Sequence, residues 1–132
     1  NSIYKKIQKY VLKNDLSQFV IMPGYVNRDE AIQYYNNAFV YVFPSIDEGF
    51  GIPLIEAMRA RVPVICSDIE IFKEIGENSV IYFKKQDHND LFNKLKLILE
   101  NKTTIRDLIL KANKRVDLFN QKKFITGFEK LY

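Results

Sequence analysis

Apolar residues along this chain fall into short continuous runs separated by amphipathic stretches. Four of the runs predict strands: Phe19–Met22, Ala38–Phe43, Pro63–Cys66 and Ser79–Phe83. These runs are apolar at consecutive positions rather than at alternate ones, which is typical of strands covered on both faces. Helices are expected before, between and after them, the last three at Asp87–Glu100, Thr103–Leu118 and Gln121–Tyr132. The pattern therefore predicts an α/β fold with a doubly wound, Rossmann-like parallel sheet.

Side chains that can cap a helix mark where several of the predicted helices begin. Asn27 has Glu30 three residues after it, and Asp87 begins a later helix, both in patterns that satisfy the first amide groups. Asp68 is expected to cap the short helix that follows the third strand. The helix Pro53–Ala60 has no Ser, Thr, Asp or Asn at its cap position. Its first amide groups are therefore expected to be free.

The loop Ser45–Ile52 connects the second predicted strand to this uncapped helix. Parallel sheets bind ligands beyond the carboxyl ends of their strands, which is where the loop lies. Gly49 and Gly51 let a ligand approach the main chain closely, and Pro53 suits the first helical turn. Because a helix start with free N–H groups attracts anions, the loop is predicted to bind phosphate. Replacing Gly51 with valine is expected to block that binding.

Two glutamates flank the loop, where their charge would repel a phosphate unless they served another group. A carboxylate can accept hydrogens from both hydroxyls of a vicinal diol, as the acidic residue of dinucleotide-binding folds does with ribose. Glu48 and Glu56 are therefore candidates for binding sugar hydroxyls on either side of a diphosphate. Taken singly, Glu56 is equally well explained as an acid favoured near a helix N-terminus, and the glycines as turn residues.

The segment from Pro44 to Met58 resembles the signature of retaining glycosyltransferase family 4, the group 1 glycosyltransferases. It contains that family's two glutamates, Glu48 and Glu56, with seven residues between them. The similarity continues on both sides of the segment and covers nearly the whole chain. The further matches are Pro23–Val26, Pro63–Ile65, Ser67–Ile69, Glu74, Gly76 and Leu131–Tyr132.

This resemblance implies the C-terminal, donor-binding domain of the two-domain GT-B fold. Glu48 would be the residue at the catalytic centre, in contact with the donor sugar, and Glu56 would bind the ribose diol. The diphosphate would be bound by the amides of four consecutive residues: Gly49, Phe50, Gly51 and Ile52. The implied reaction is sugar transfer from a nucleoside-diphosphate sugar with retained configuration, without metal or cofactor, in surface polysaccharide or glycolipid assembly.

Residues 1–132 are expected to be only part of a nucleotide-sugar-binding domain, because the chain has no initiating Met and the family's phosphate-binding basic residues lie further upstream. Its first strands and the acceptor-binding N-terminal domain would then belong to a longer protein. The expected partners are a nucleotide sugar and a saccharide or lipid-linked acceptor held by that other domain. Peripheral membrane association of the full-length enzyme is left open, and the chain alone is expected to transfer no sugar.

Two local features depart from the family pattern. Arg61 stands before Val62 and Pro63, where family members commonly have Gly, so the preceding helix needs a different end. The aromatic residue common near the start of the last helix is replaced around Asn120. The first departure concerns a turn rather than the pocket, and the second weakens the match only slightly.

Composition and charge exclude few classes of function. The 132 residues are 47% hydrophobic and 27% charged, as in an ordinary single globular domain. The net charge of +4 comes from Lys and Arg interleaved with Asp and Glu, which favours a solvated surface over nucleic-acid binding. Cys66 is the single cysteine and no stretch is long enough for a membrane-spanning helix, so a cytoplasmic protein is expected.

Several other residues are better explained by structure than by chemistry. His88 is expected at the surface, and no metal site is expected because Asp68, Glu70 and Glu74 have no second His or Cys beside them. Five aromatic residues are expected in the core: Tyr34, Tyr35, Phe39, Tyr41 and Phe43. Three alternative functions stay open: a sugar-nucleotide epimerase-type enzyme, a noncatalytic nucleotide-sugar-binding module and a basic nucleic-acid-binding domain.

Overall fold

Helices and strands alternate along most of the chain in a computed structural model, which describes residues 2–119. The helices are α1 Ser2–Lys13, α2 Arg28–Asn37, α3 Ile52–Arg59, α4 Glu70–Gly76, α5 His88–Glu100 and α6 Lys102–Val116. The strands are β1 Tyr41–Phe43, β2 Val64–Ser67 and β3 Ile81–Phe83, and a 3-10 turn follows α6 at Asp117–Phe119. The predicted helix Gln121–Tyr132, the departure near Asn120 and the match at Leu131–Tyr132 lie outside the described residues.

The chain divides into two compact units, one up to Ala31 and one from Ile32 onward. In the first unit, α1 ends in a turn that places Asp15 at a positive φ of 55°. The Tyr4 hydroxyl donates to the Met22 carbonyl at 3.4 Å. The predicted capping pair is confirmed, because Asn27 Oδ1 accepts from the Glu30 amide at 3.0 Å and Glu30 Oε2 accepts from the Asn27 amide at 2.8 Å.

The prediction of a buried strand at Phe19–Met22 is wrong. This segment has no strand geometry, and Phe19 and Ile21 are 74% and 80% exposed. The amides of Phe19 and Val20 both donate to the Leu16 carbonyl, which makes a turn instead of a ladder. An apolar run has the composition of a strand, but only pairing with a neighbour satisfies an extended backbone. Within residues 2–119, the paired strands are those of the second unit.

The second unit contains a parallel sheet in the order β1-β2-β3. Val42 lies beside Ile65, and Cys66 lies beside Tyr82, so β2 is the central strand and all four of its residues are buried. Because neighbouring strands are parallel, the chain must return to the same edge of the sheet before each new strand. Helix α3 makes this return between β1 and β2, and α4 makes it between β2 and β3. The α/β class and the parallel sheet predicted from the apolar runs are confirmed.

Two hydrophobic cores cover the opposite faces of the sheet. Val64 and Cys66 point into the first core, with α3, α4 and α6 over them, whereas Ile65 points into the second, under α5 and α6. Burial raises the pKa of the Cys66 thiol to about 12. This alternation along one strand is what a sheet covered on both faces requires.

Three of the five aromatic residues assigned to the core reach it, and two do not. Tyr35, Tyr41 and Phe43 are partly buried against the first core. Tyr34 and Phe39 are more than half exposed, so their assignment to the core is wrong. Tyr34 and Tyr35 point about 100° apart on α2, and Tyr35 is the one that faces the first core. Phe39 lies in the bend before β1 and not in the strand that carries Tyr41 and Phe43.

Helix α4 is held at its C-terminal end by a side chain from α6. The Arg115 guanidinium donates to the carbonyls of Ile75 (2.9 Å) and Glu74 (2.6 Å), and it pairs with the Glu77 carboxylate at 2.9 Å. The Cζ atom of the same guanidinium lies 5.4 Å from the centroid of the Phe119 ring. Since the last carbonyls of a helix lack partners within the helix, this arginine satisfies two of them and fixes α4 in place.

Asp68 does not cap α4, so that prediction is wrong. The cap position belongs to Ile69, which has no side-chain hydrogen bond to the helix. The Asp68 carboxylate instead accepts from the Lys85 amide at 2.8 Å and so connects the ends of two neighbouring loops. Asp87 does cap α5 as predicted, because its Oδ1 accepts from the amides of Asn89 and Asp90. The Asp90 amide is the main cause that lowers the pKa of Asp87.

Arg61 ends α3 in the conformation that glycine usually provides. Its φ is 60°, and its amide donates to the Met58 carbonyl at 3.1 Å. The Val62 amide donates to the Ala57 carbonyl at 3.1 Å, which completes a Schellman motif with arginine at the left-handed position. The prediction that α3 needs a different end is therefore wrong, because the hydrogen-bond pattern is the usual one with arginine in the place of glycine.

We expect Arg61→Gly to stabilise the chain, because it removes the strain of a side chain in the left-handed region. The expected gain is about 0.5–1 kcal/mol in the free energy of unfolding, measured by urea denaturation. Ala60→Gly is the matched control. Ala60 has a φ of −72°, so glycine there should cost about 0.5–1 kcal/mol. Equal destabilisation by both variants would contradict the strain at Arg61.

Candidate functional site

The loop after β1 runs from Pro44 to Gly51 and leaves the carboxyl end of a parallel strand. The Ser45 hydroxyl donates to the Asp47 carbonyl at 2.9 Å and closes a local turn. Further along, the Phe50 ring is partly buried and packs against the first core. The loop is therefore attached at both ends, with Gly49 exposed between the two anchors.

Helix α3 begins without a side-chain cap, as the sequence predicts. Gly51 occupies the cap position at φ 68° and ψ 38°, and its carbonyl accepts from the Leu54 amide at 3.0 Å. Pro53, in the first turn, has no N–H to satisfy. Within residues 2–119, the amides of Gly51 and Ile52 donate to no acceptor. These two donors and the positive end of the helix dipole make the start of α3 suited to an anion.

Gly51 is required by the fold itself, which the sequence did not indicate. A Cβ on Gly51 would lie 3.1 Å from Phe72 Cε1 and 3.2 Å from Ile75 Cδ1, both on α4. The start of α3 thus packs directly on α4. Gly49 differs, because a Cβ there would meet no atom within 4 Å and its φ is not positive. Of these two glycines, Gly49 is the one with open space where a side chain would be.

Glu56 lies on the second turn of α3, with its side chain exposed. The hydroxyl of Tyr35, from α2, is 3.4 Å from Glu56 Oε2 and 3.5 Å from the Pro53 carbonyl. Burial raises the pKa of Tyr35, and Tyr41 and then the Glu56 carboxylate raise it further. The Tyr35 hydroxyl is therefore protonated near neutral pH and is a donor to the carboxylate.

Glu48 is half-buried in the loop before α3. The pKa of Tyr41 is raised first by burial, and the carboxylates of Glu56 and Glu48 raise it as well, while a hydrogen bond with Tyr35 lowers it. Both predicted acids are thus close enough to act on one phenol. Tyr35 thus contacts Glu56, and the charges of Glu56 and Glu48 both act on the neighbouring Tyr41.

Tyr35 and Tyr41 were assigned to the core by sequence reasoning, and their polar ends were missed. No local pattern could have indicated them, because Tyr35 reaches a residue 21 positions further along the chain. The only available signal was general, since a tyrosine hydroxyl that is partly buried usually finds a polar partner.

A cavity of about 200 Å³ opens at the same edge of the sheet. Its walls include Pro44 and Ile46 from the loop, Phe83 at the end of β3, and His88 at the start of α5. None of the six site residues predicted from the sequence lines it. His88 is exposed as expected. Among residues 2–119, no group of three or more His, Cys, Asp or Glu side chains is placed to hold a metal ion.

None of the described helices combines the length and the apolar character needed to cross a membrane.

Comparisons with known proteins identify the family. The family model described as "Glycosyl transferases group 1" matches residues 3–115. The chain is 35% identical over 122 residues to the O-antigen chain mannosyltransferase RfbU of Salmonella typhimurium, covering 90% of this chain and 33% of that protein. It is 30% identical to an uncharacterized glycosyltransferase of Methanocaldococcus jannaschii, covering 98% of this chain and 37% of that protein.

A solved structure agrees with these sequence matches. Sucrose-phosphate synthase from Thermosynechococcus elongatus superposes with a TM-score of 0.87 at 30% identity, over 100% of this chain and 34% of that protein. The chain therefore spans about a third of the length of these relatives. The signature segment Pro44–Met58, with its two glutamates, lies inside the matched region. The chain belongs to the group 1 glycosyl transferases.

Proposed function

We propose that this chain is the donor-binding part of a retaining glycosyltransferase, which binds a nucleoside-diphosphate sugar at the start of α3. The observation that carries the proposal is the uncapped helix start, whose amides at Gly51 and Ile52 have no acceptor among the described residues. Glu48 and Glu56 stand before and after it. An anion site between two carboxylates fits a ligand that has a diphosphate with a sugar on each side.

Each group has a distinct role in this proposal. The amides of Gly49–Ile52 bind the diphosphate and stabilise the charge that develops on it as the sugar leaves. Glu56 accepts hydrogen bonds from the two ribose hydroxyls. Glu48, nearer the strand end, contacts hydroxyls of the transferred sugar. No nucleophilic role is assigned to Glu48, and no step is assigned to a metal or a cofactor.

The chain is proposed to belong to a longer, cytoplasmic enzyme that assembles surface polysaccharide or glycolipid. Another domain of that enzyme would bind the acceptor, and earlier strands of the donor-binding domain would supply the remaining phosphate contacts. The Salmonella relative is named as an O-antigen chain mannosyltransferase. A nucleoside-diphosphate mannose is therefore the first donor to test. A saccharide or a lipid-linked saccharide is the corresponding class of acceptor.

Substitutions of Glu48 and Glu56 are expected to weaken the binding of different ligands. Glu56→Gln should weaken a nucleoside diphosphate and its nucleotide sugar alike, by about 1–3 kcal/mol, because a hydrogen bond to a charged group is lost in both. Glu48→Gln should spare the free diphosphate and weaken only the intact sugar donor. Isothermal titration calorimetry with both ligands measures the difference. An equal loss for both ligands in Glu48→Gln would contradict the assignment of Glu48 to the sugar.

This chain alone is expected to show no sugar transfer. Closing two domains over a donor assembles groups that neither domain has by itself, so positioning and charge stabilisation would both be incomplete here. The test is to follow release of nucleoside diphosphate from the donors that bind, with and without candidate acceptors. Acceptor-dependent release at rates of about 1 s⁻¹ or more, typical of enzymes, would show that the chain is catalytically complete.

A further inference from the structure

A row of four aromatic rings runs from α2 through the sheet to α4. The ring centroids of Tyr35 and Tyr41 are 5.3 Å apart with an edge-to-face arrangement. Tyr41 and Phe43, on the same side of β1, are 5.7 Å apart, and Phe43 is 4.7 Å from the fully buried Phe72. Each ring is fixed by its neighbours, so the orientation of the Tyr35 ring is set by the core.

The Tyr35 hydroxyl is the end of this row that lies against α3. It is 3.4 Å from Glu56 Oε2 and 3.5 Å from the Pro53 carbonyl, so one phenol hydrogen is shared between a carboxylate and a helical carbonyl. Glu56 is otherwise exposed, and within residues 2–119 it forms no ion pair with a lysine or arginine. The tyrosine is therefore the side chain that restrains this carboxylate.

We propose that Tyr35 is a positioning residue, which holds the Glu56 carboxylate in the orientation that binds the ribose diol. The inference rests on the proposed role of Glu56. An ionised carboxylate has about four lone-pair positions on two oxygens, so a hydrogen bond from Tyr35 to Oε2 leaves Oε1 and part of Oε2 for two ribose hydroxyls. Because an exposed glutamate otherwise samples many rotamers, restraining it before binding lowers the entropic cost of binding the diol.

The experiment compares two ligands that differ only in the ribose hydroxyls. UDP, GDP and ADP are titrated into the chain by calorimetry, and the tightest of them is compared with its own 2′,3′-dideoxy analogue. The ratio of the two Kd values measures the contribution of the diol. Tyr35→Phe removes only the hydroxyl and keeps the ring row, so the fold is expected to be preserved.

Tyr35→Phe is expected to weaken the ribonucleotide by about fivefold and to leave the dideoxy analogue unchanged. In the Glu56→Gln background the same substitution should have no further effect, because Tyr35 acts through the carboxylate. Tyr34→Phe is the matched control, since Tyr34 is exposed on the same helix and should change neither Kd.

The outcomes separate this inference from the proposed function. If Glu56→Gln removes the preference for the ribonucleotide and Tyr35→Phe does not reduce it, the positioning role is wrong while the proposed function stands. Equal weakening of both ligands by Tyr35→Phe would also overturn the positioning role, because a structural defect would act in that way. If Glu56→Gln leaves the preference unchanged, or if no diphosphate binds, the proposed function fails and this inference fails with it.

Discussion

Replacing Gly51 with valine is expected to destabilise this chain by about 2–4 kcal/mol and to abolish binding of nucleoside diphosphates as a consequence. The residue sits at a φ of 68°, where a β-branched side chain is strongly disfavoured. A Cβ there would also press on Phe72 and Ile75 at 3.1 and 3.2 Å. The free energy of unfolding, measured by urea denaturation, should fall before any ligand is added.

Gly49→Val is the matched variant that isolates the phosphate site. Since a Cβ on Gly49 meets no atom within 4 Å, the stability should change by less than about 0.5 kcal/mol. The added side chain would occupy space beside the loop amides, so diphosphate affinity should fall by at least about tenfold. Unchanged stability in Gly51→Val would contradict the packing of α3 on α4, and unchanged affinity in Gly49→Val would count against the loop as the phosphate site.

Gly76→Ala is expected to have the second large effect, with a loss of about 2–3 kcal/mol of stability. A Cβ at this last residue of α4 would lie 2.5 Å from Val80 Cγ2 and 2.9 Å from the Tyr82 hydroxyl. Val80 is buried, and its β-branched side chain has little freedom to turn away. Helix propensity alone would give the opposite sign, because alanine is favoured over glycine in a helix by about 1 kcal/mol.

A double-mutant cycle with Val80→Ala tests the cause of that loss. Removing the valine methyl groups creates the space that the new Cβ needs, so the double variant should be less destabilised than the sum of the two single variants. The expected coupling is at least about 1 kcal/mol. Additive losses would mean that Gly76 is needed for a reason other than its contact with Val80.

Local sequence patterns predicted the features that depend on a few neighbouring residues. The Asn27–Glu30 pair and the Asp87 cap each join residues two or three positions apart, and both are present. The uncapped start of α3 was predicted for the same reason, since Gly51 offers no side chain to accept a hydrogen bond. The parallel sheet was predicted from the alternation of strands and helices.

Contacts between distant parts of the chain could not be predicted in this way. Asp68 is a good capping residue in a plausible position, yet its carboxylate binds an amide 17 residues away. No sequence pattern pointed to Arg115, which donates to carbonyls about 40 residues earlier in the chain. The contact between the Tyr35 hydroxyl and Glu56 likewise joins residues that are far apart in the chain. Such contacts depend on how α2, α4 and α6 pack, which no short pattern records.

Gly49 and Gly51 show most clearly what a sequence pattern cannot predict. The same two reasons were predicted for Gly49 and Gly51, which were the close approach of a ligand to the backbone and, as the alternative, a turn. The structure separates them, because Gly51 is required by backbone conformation and by packing on α4, whereas Gly49 is exposed and unhindered. A glycine on its own cannot indicate which of these reasons applies.

Binding of a nucleoside diphosphate at the start of α3 is tested most directly by NMR. A ¹⁵N-labelled sample of this chain would be titrated with UDP, GDP and ADP while the backbone amide signals are followed. The largest shift changes are predicted at Gly49, Phe50, Gly51 and Ile52, with the Asn101 amide between α5 and α6 unchanged as an internal control. Binding that leaves these four amides unmoved, or that shifts only the lysine-bearing faces of the helices, would contradict a diphosphate site at the start of α3.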